Sequence, residues 1–209
     1  MNSERIGRMK VLSLLSGGID SIVACYLMLD KADVEYLHMT AGNTSLEKIK
    51  ELISLIDERN GRLYTLEHSL MMENIRKFMI NNRIDDKYTC VYCKRGMLKA
   101  AEALAERIGC DVILTGDSIG QVASQTVRNL YMEDITVKIP VIRPLIGMDK
   151  DEIIGLARKA GTYEISIKQD EGCAYLPSQP ITRAKKDKII DFDFSFDPII
   201  DEVEVLDLR

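Results

Sequence analysis

Val11-Leu12-Ser13-Leu14-Leu15-Ser16-Gly17-Gly18-Ile19-Asp20-Ser21 decides the fold. An apolar run of strand length ends in Ser-Gly-Gly, and the helical pattern Ile22 to Leu29 opens directly after it. Strand, glycine turn and helix in that order form the first unit of an alternating α/β chain. The same order builds an anion site. The glycines let backbone approach a ligand, the first N–H groups of the helix lack intrahelical acceptors, and the positive end of the helix dipole points at the same spot. The hydroxyls of Ser16 and Ser21 flank it. The usual phosphate loop places Lys and Ser/Thr after its last glycine. Here a carboxylate, Asp20, and a hydroxyl, Ser21, stand in that region. An ordinary Gly-Gly turn into a helix is the alternative on these residues alone.

The pattern continues along the chain. Val11 to Leu15, Val34 to Met39, Arg62 to Leu66, Val112 to Thr115 and Thr136 to Val141 are short apolar or β-branched runs separated by helical patterns. Leu46, Ile49, Leu52, Ile53 and Ile56 recur at helical spacing, as do Met97, Ala100, Ala101, Leu104 and Ile108, so each segment buries one stripe. The expected fold is α/β, a parallel five-stranded sheet with helices on both faces. One domain is expected over 1–209, with 176–209 as its C-terminal extension. Asp149 with Glu152 reads as an N-cap and its partner, and Gly161 as the stop of the same helix. Ser118 to Leu130 reads as a two-faced helix, and a further helix is expected to open near Lys94, just after Cys90-Val91-Tyr92-Cys93. In open sheets of this kind ligands bind beyond the carboxyl ends of the strands.

Composition bounds the class. A chain of 209 residues with 46% hydrophobic and 29% charged residues buries about 70% of its unfolded surface and needs no disulfide to fold. No apolar run approaches a membrane span, and the polar N-terminus lacks a secretory core, so a cytoplasmic protein without membrane association is expected. A net charge of −5 argues against a dedicated nucleic-acid surface, so any RNA contact is local or supplied by a partner. The dense basic run, Arg183 to Lys188 interrupted by Asp187, reads as a solvated helix face. Five cysteines, an odd number with one Cys-x-x-Cys pair, suit a reducing compartment in which thiols bind metal or do chemistry.

Ser16-Gly17-Gly18-Ile19-Asp20-Ser21 resembles the pyrophosphate loop of ATP pyrophosphatases, which attach AMP to a substrate oxygen and release pyrophosphate. Two later stretches make the resemblance more specific. Thr115-Gly116-Asp117-Ser118-Ile119-Gly120-Gln121-Val122-Ala123-Ser124-Gln125-Thr126 and Arg143-Pro144-Leu145-Ile146-Gly147-Met148-Asp149-Lys150-Asp151-Glu152-Ile153-Ile154 are similar to the pyrophosphatase domain of the tRNA 4-thiouridine synthetase family. The similarity continues through Gly161-Thr162-Tyr163-Glu164-Ile165 and Cys173 to Phe192-Asp193-Phe194. It implies an ATP-dependent sulfurtransferase that adenylates the C4 carbonyl oxygen of a tRNA uridine and replaces that oxygen with sulfur. Family members usually carry an N-terminal RNA-binding region with a THUMP domain, and some a C-terminal rhodanese domain. This sequence starts close to its first strand and stops at Arg209, so tRNA is expected to dock through a separate RNA-binding subunit or domain. Sulfur is expected from sulfide or a persulfide carrier.

The resemblance also implies residue roles. Ser16, Gly17, Gly18, Asp20 and Ser21 would hold the phosphates of ATP and Mg2+, and Met39 and Thr40 would border adenine. Gly116, Asp117 and Gln121 would contact nucleotide or substrate, while Asp20, Lys150 and Cys173 would be catalytic. Cys90, Cys93 and Cys173 resemble the three-cysteine iron–sulfur site of archaeal-type RNA thiolation enzymes. Zinc completed by a non-cysteine ligand and a redox disulfide remain open readings of the same residues. Cys25, Cys110, His38 and His68 are read as structural. A pyrophosphatase acting on another small substrate, a non-catalytic nucleotide-binding subunit, and a metal or redox protein remain alternatives, and a homodimer is left open.

Overall fold

The computed structural model describes residues 8–40, 46–58, 61–120, 125–168, 173–206 and 208. Its strands are β1 (Met9–Leu14), β2 (Ala32–Thr40), β3 (Leu63–Glu67), β4 (Val112–Leu114), β5 (Val141–Ile142) and β6 (Glu204–Leu206). The helices are α1 (Ile19–Met28), α2 (Leu46–Ile56), α3 (His68–Asn81), α4 (Thr89–Ile108), α5 (Val127–Asp134), α6 (Lys150–Lys159), α7 (Tyr163–Ser166) and α8 (Asp197–Ile200). The strands form one sheet in the order β5-β4-β1-β2-β3-β6. All pairings are parallel except β3 with β6. β1 is central, and the chain leaves it toward β2 on one side and returns to β4 on the other. The crevice at this switch point holds the loop that follows β1.

Alternation along β1 sends Val11 to one face and Leu12 to the other. Val11 packs with Ile22, Ile49, Leu52 and Ile153 from α1, α2 and α6. Leu12 packs with Ile75, Phe78, Leu98 and Leu104 from α3 and α4. Each such side chain contributes about 1.5–3 kcal/mol on burial, so the two layers hold the strand ends in register. The segment after residue 180 joins the second layer through its phenylalanines. Phe192, Phe194 and Phe196 form a ring cluster that reaches Phe78 and Tyr92 across the surfaces of α3 and α4. Arg95, fully buried, bonds the Met132 carbonyl at 2.6 Å and Asp191 at 2.6 Å beneath that cluster.

Four expectations are corrected. The sheet has six strands, not five; the added strand β6 is three residues long and antiparallel to β3. The fifth strand is Val141–Ile142 only, because the N–H groups of Lys138 and Ile139 turn to the Glu102 carboxylate at 2.5 and 3.2 Å instead of a neighbouring strand. The helix expected near Lys94 opens at Thr89, so Cys90 and Cys93 lie within its first two turns and not ahead of it. Ser118 to Leu130 is not one helix: Gly120 adopts φ +82°, and α5 opens only after Thr126, whose hydroxyl accepts from Asn129 N–H at 3.2 Å.

Candidate active site

The loop after β1 is tied into a tight turn by its own serines. Ser21 Oγ accepts from the Ser16 N–H at 3.0 Å and donates to the Ser16 carbonyl at 2.8 Å, and it lies 3.0 Å from Ser16 Oγ. Gly18 caps α1 with extended backbone and no side-chain cap, which leaves the first amides of α1 for a ligand. Gly116, after β4, presses against this turn. A Cβ at Gly116 would stand 2.5 Å from Ser21 N, 2.6 Å from Asp20 C and 2.7 Å from Ser21 Cα, all backbone. Lys150 reaches the same turn, with Nζ 2.6 Å from Asp20 Oδ1. Its position is set by a full capping box, in which Asp149 Oδ1 accepts from Glu152 N–H at 2.9 Å and Glu152 Oε2 from Asp149 N–H at 2.8 Å.

The turn opens into a cavity of about 590 Å³. Ser16, Gly17, Asp20, Ser21, Met39, Thr40, Gly116, Asp117 and Cys173 line it, so residues from four separate places in the sequence share one chamber. Gly18 belongs to the same turn, and Lys150 reaches the chamber through Asp20. Gln121 lies outside the described residues. Lys94, Gln125, Glu133, Arg143, His68 and Tyr175 also line the chamber.

Asp117 organises one wall. Its Oδ1 accepts from Lys94 Nζ at 2.5 Å and Gln125 Nε2 at 3.3 Å, and its Oδ2 from Thr115 Oγ1 at 2.8 Å and Arg143 Nε at 3.2 Å. Arg143 also grips Asp134 with both terminal nitrogens, at 3.0 and 2.6 Å. Burial pushes Asp117 up, but the attraction of Lys94 and the hydrogen bonds around it leave its carboxyl below the usual carboxylate range. Burial likewise pulls Lys94 down, and Asp117 with Glu133 more than offsets it, so the ammonium is held above its ordinary value. Glu133 is 1% exposed, and its Oε1 has no hydrogen-bond partner among the described residues. Burial pushes its carboxyl up to about 8 despite the pull of Lys94. The Gln125 amide nitrogen faces Asp117, so its Oε1, also without a partner among the described residues, is the acceptor left over.

Of the three thiols Cys173 lines the chamber, while Cys90 and Cys93 stand behind the lining residues on α4. Cys93 is half-buried, and desolvation with the neighbouring Cys173 and Cys90 pushes its thiol up to about 12. Burial and then Cys173 also raise Cys90. Cys173 is exposed and lines the chamber. Each of the paired thiols therefore feels Cys173 electrostatically, although among the described residues no group of three or more His, Cys, Asp or Glu side chains is arranged to hold a metal ion. His68, read from sequence as structural, is a chamber residue: Nε2 lies 3.2 Å from Cys93 Sγ, and the ring meets Tyr175 edge-on at 5.4 Å. His38 is buried with Nδ1 2.9 Å from the Leu15 carbonyl. Cys25 bonds Ser13 Oγ at 2.9 Å in the core, and Cys110 is 8% exposed, as expected for small buried residues.

Arrangement and sequence agree with known proteins. A "Probable tRNA sulfurtransferase" from Methanocaldococcus jannaschii is 38% identical over 86% of this chain and 48% of its own length. One of the same name from Methanothermobacter thermautotrophicus is 39% identical over 87% of this chain and 48% of its own. The chain thus spans about half the length of the curated relatives it matches. A crystal structure of a 4-thiouridine synthetase–RNA complex with bound ATP superposes with a TM-score of 0.82 at 32% identity, covering 95% of this chain and 55% of that one. The family model described as thiamine biosynthesis protein (ThiI) matches residues 7–197, and the chain belongs to that ThiI family.

Proposed function

We propose that this chain performs ATP-dependent thiolation of a tRNA uridine. In the first step the C4 carbonyl oxygen attacks the α-phosphorus of ATP, the bond to the β-phosphate breaks, and pyrophosphate leaves. In the second a sulfur nucleophile adds at C4, the carbon–oxygen bond breaks, and AMP departs with the oxygen. The observation that carries the reading is the shared chamber: an anion turn at the sheet's switch point, whose Asp20 carboxylate pairs with Lys150, and an exposed thiol open to one cavity.

The residues divide the work. Ser16, Gly17, Gly18 and Ser21 present backbone and hydroxyl donors to the phosphates, and Met39 with Thr40, at the carboxyl end of β2, borders the adenine. Asp20 would hold a magnesium ion, which supplies charge neutralisation on the phosphates. Lys150 then turns from Asp20 to the transferred nucleotide. Gly116 keeps the turn closed. Asp117, with both oxygens engaged, positions Lys94, Gln125 and Arg143 toward the acceptor instead of touching it. Cys173 either carries sulfur as a persulfide or joins Cys90 and Cys93 as a ligand.

Cys90, Cys93 and Cys173 offer three soft thiolate ligands of the kind an iron–sulfur centre takes, and such a centre would supply an open iron for sulfide. His68 beside Cys93 favours a second reading, zinc with His68 as the non-cysteine ligand. Iron, sulfide and zinc analysis after anaerobic purification separates the two. The larger relatives suggest that tRNA docking uses a further domain or subunit. Residues 1–209 are read as one domain with 176–209 as its extension. Asp20→Ala should abolish tRNA-dependent pyrophosphate release while the melting temperature stays near that of the wild type. Wild-type turnover in that variant would overturn the reading.

A further inference from the structure

The basic run at 183–188 is not a free helix face but a strap stapled to the chamber wall. The Thr182 carbonyl accepts from Thr126 Oγ1 at 2.7 Å, next to chamber residue Gln125. Asn129, fully buried, clamps the strap at two points: Nδ2 donates to the Ile181 carbonyl at 2.8 Å and Oδ1 accepts from Ala184 N–H at 2.9 Å. Arg128 Nε donates to the Ala184 carbonyl at 3.3 Å, and Ile181 N–H donates to the Lys87 carbonyl at 3.0 Å, just ahead of the helix that carries Cys90 and Cys93. Ala184 is 0% exposed. With Ala184 anchored in the core, Arg183, Lys185, Lys186 and Lys188 are all exposed.

This is an odd use of charge in a chain of net charge −5. Within 183–188 four cations face a single carboxylate, Asp187. Among the described residues none of the four cations forms an ion pair, whereas Lys94, Arg95, Arg143 and Lys150 all do. Exposed lysines held on a fixed backbone and left unpaired repel each other, a cost that a bound polyanion removes. The outward side of α5 adds Arg128 and the exposed ring of Tyr131, a pairing of cation and aromatic that suits a nucleic-acid strand.

We propose that the strap formed by Arg183, Lys185, Lys186 and Lys188, stapled to α5 beside the chamber, is a docking surface for the phosphate backbone of the RNA acceptor. The inference rests on the thiolation reading and adds the place where this chain itself touches RNA. Phosphate contacts position a strand without reading its sequence. A strap fixed through Thr126 and Asn129 would set the distance from backbone to chamber for whichever nucleotide enters.

The test compares the wild type with Lys185→Ser/Lys186→Ser/Lys188→Ser, and with Lys31→Ser/Lys77→Ser/Lys159→Ser as a control of equal net charge on exposed sites elsewhere. Binding of a labelled, unmodified tRNA transcript is titrated from low to physiological salt. The strap variant should bind at least roughly 10-fold more weakly, and the slope of log affinity against log salt should fall by about 2–3, at 0.7–0.9 per lost phosphate contact. The control should keep the wild-type slope, and all three should bind ATP alike. Equal losses in both triple variants would overturn the strap and leave only net charge. Unchanged RNA binding in the strap variant would overturn it too, as would strap-dependent binding to anionic phosphatidylserine vesicles without binding to the transcript. Wild-type protein that binds the transcript through the strap yet forms no AMP would instead break the thiolation reading alone.

Discussion

Gly116→Ala tests whether the anion turn depends on the loop after β4. The added methyl would stand 2.5–2.7 Å from three backbone atoms of Asp20 and Ser21, whereas carbon contacts settle near 3.5 Å or more. Backbone must therefore retreat by about 1 Å. Overpacking of that size costs about 1–3 kcal/mol, equivalent to a fall in melting temperature of roughly 2–12 °C in a domain of this length. The displaced atoms belong to the turn proposed to hold the phosphates, and a misplacement of about 1 Å costs on the order of 100-fold in rate. Thermal unfolding followed by circular dichroism, with ATP binding by calorimetry, measures both effects. A Gly116→Ala protein that melts with the wild type and binds ATP with wild-type affinity would refute the close packing and the role drawn from it.

Gly155 provides the contrast: a Cβ there meets nothing within 4 Å on the exposed side of α6, so Gly155→Ala should stabilise by about 0.5–1 kcal/mol in chemical denaturation. Asp149→Ala removes the capping box that sets Lys150 and should cost about 0.5–2 kcal/mol, read from the same denaturation curves, together with a drop in pyrophosphate release. Glu133 carries a pH signature. Its carboxyl is raised to about 8 in the folded state, above its ordinary value of 4.5, so the folded form binds more protons and stability declines as pH rises from 4.5 through about 8. Glu133→Gln should remove that decline, with a gain over wild type of roughly 1–3 kcal/mol at pH 8 that fades toward pH 5; a pH-independent difference would contradict the assignment.

The parallel core was legible because each of its first four strands is a short apolar run followed by a helical stripe, and the two faces of β1 account for both layers. The edges were not. Glu204-Val205-Leu206 is short and largely exposed, with no periodicity to mark it, and Thr136 to Val141 alternates like a strand while Glu102 takes its amides. The start of α4 was missed by one turn because Tyr88 caps it without a side-chain hydrogen bond. At the site, the tight serine–glycine turn proposed to hold phosphates could be read because its residues are contiguous. Lys94, Glu133, Arg143 and His68 come from α4, α5, the segment after β5 and α3, and only their meeting around Asp117 and Cys93 gives them meaning. Gln125, quoted for its place in a motif, revealed its free acceptor only through its bond to Asp117.

The proposed thiolation requires the chamber to cleave ATP between its α- and β-phosphates for the benefit of a tRNA uridine. Its most direct test incubates the anaerobically purified chain with α-labelled ATP, magnesium, sulfide and an unmodified tRNA transcript, then counts AMP and the thiolated nucleoside recovered after digestion. The account predicts tRNA-dependent AMP in one-to-one ratio with thiolated uridine, and neither product from Asp20→Ala. Release of ADP, or AMP formation indifferent to tRNA, would contradict it.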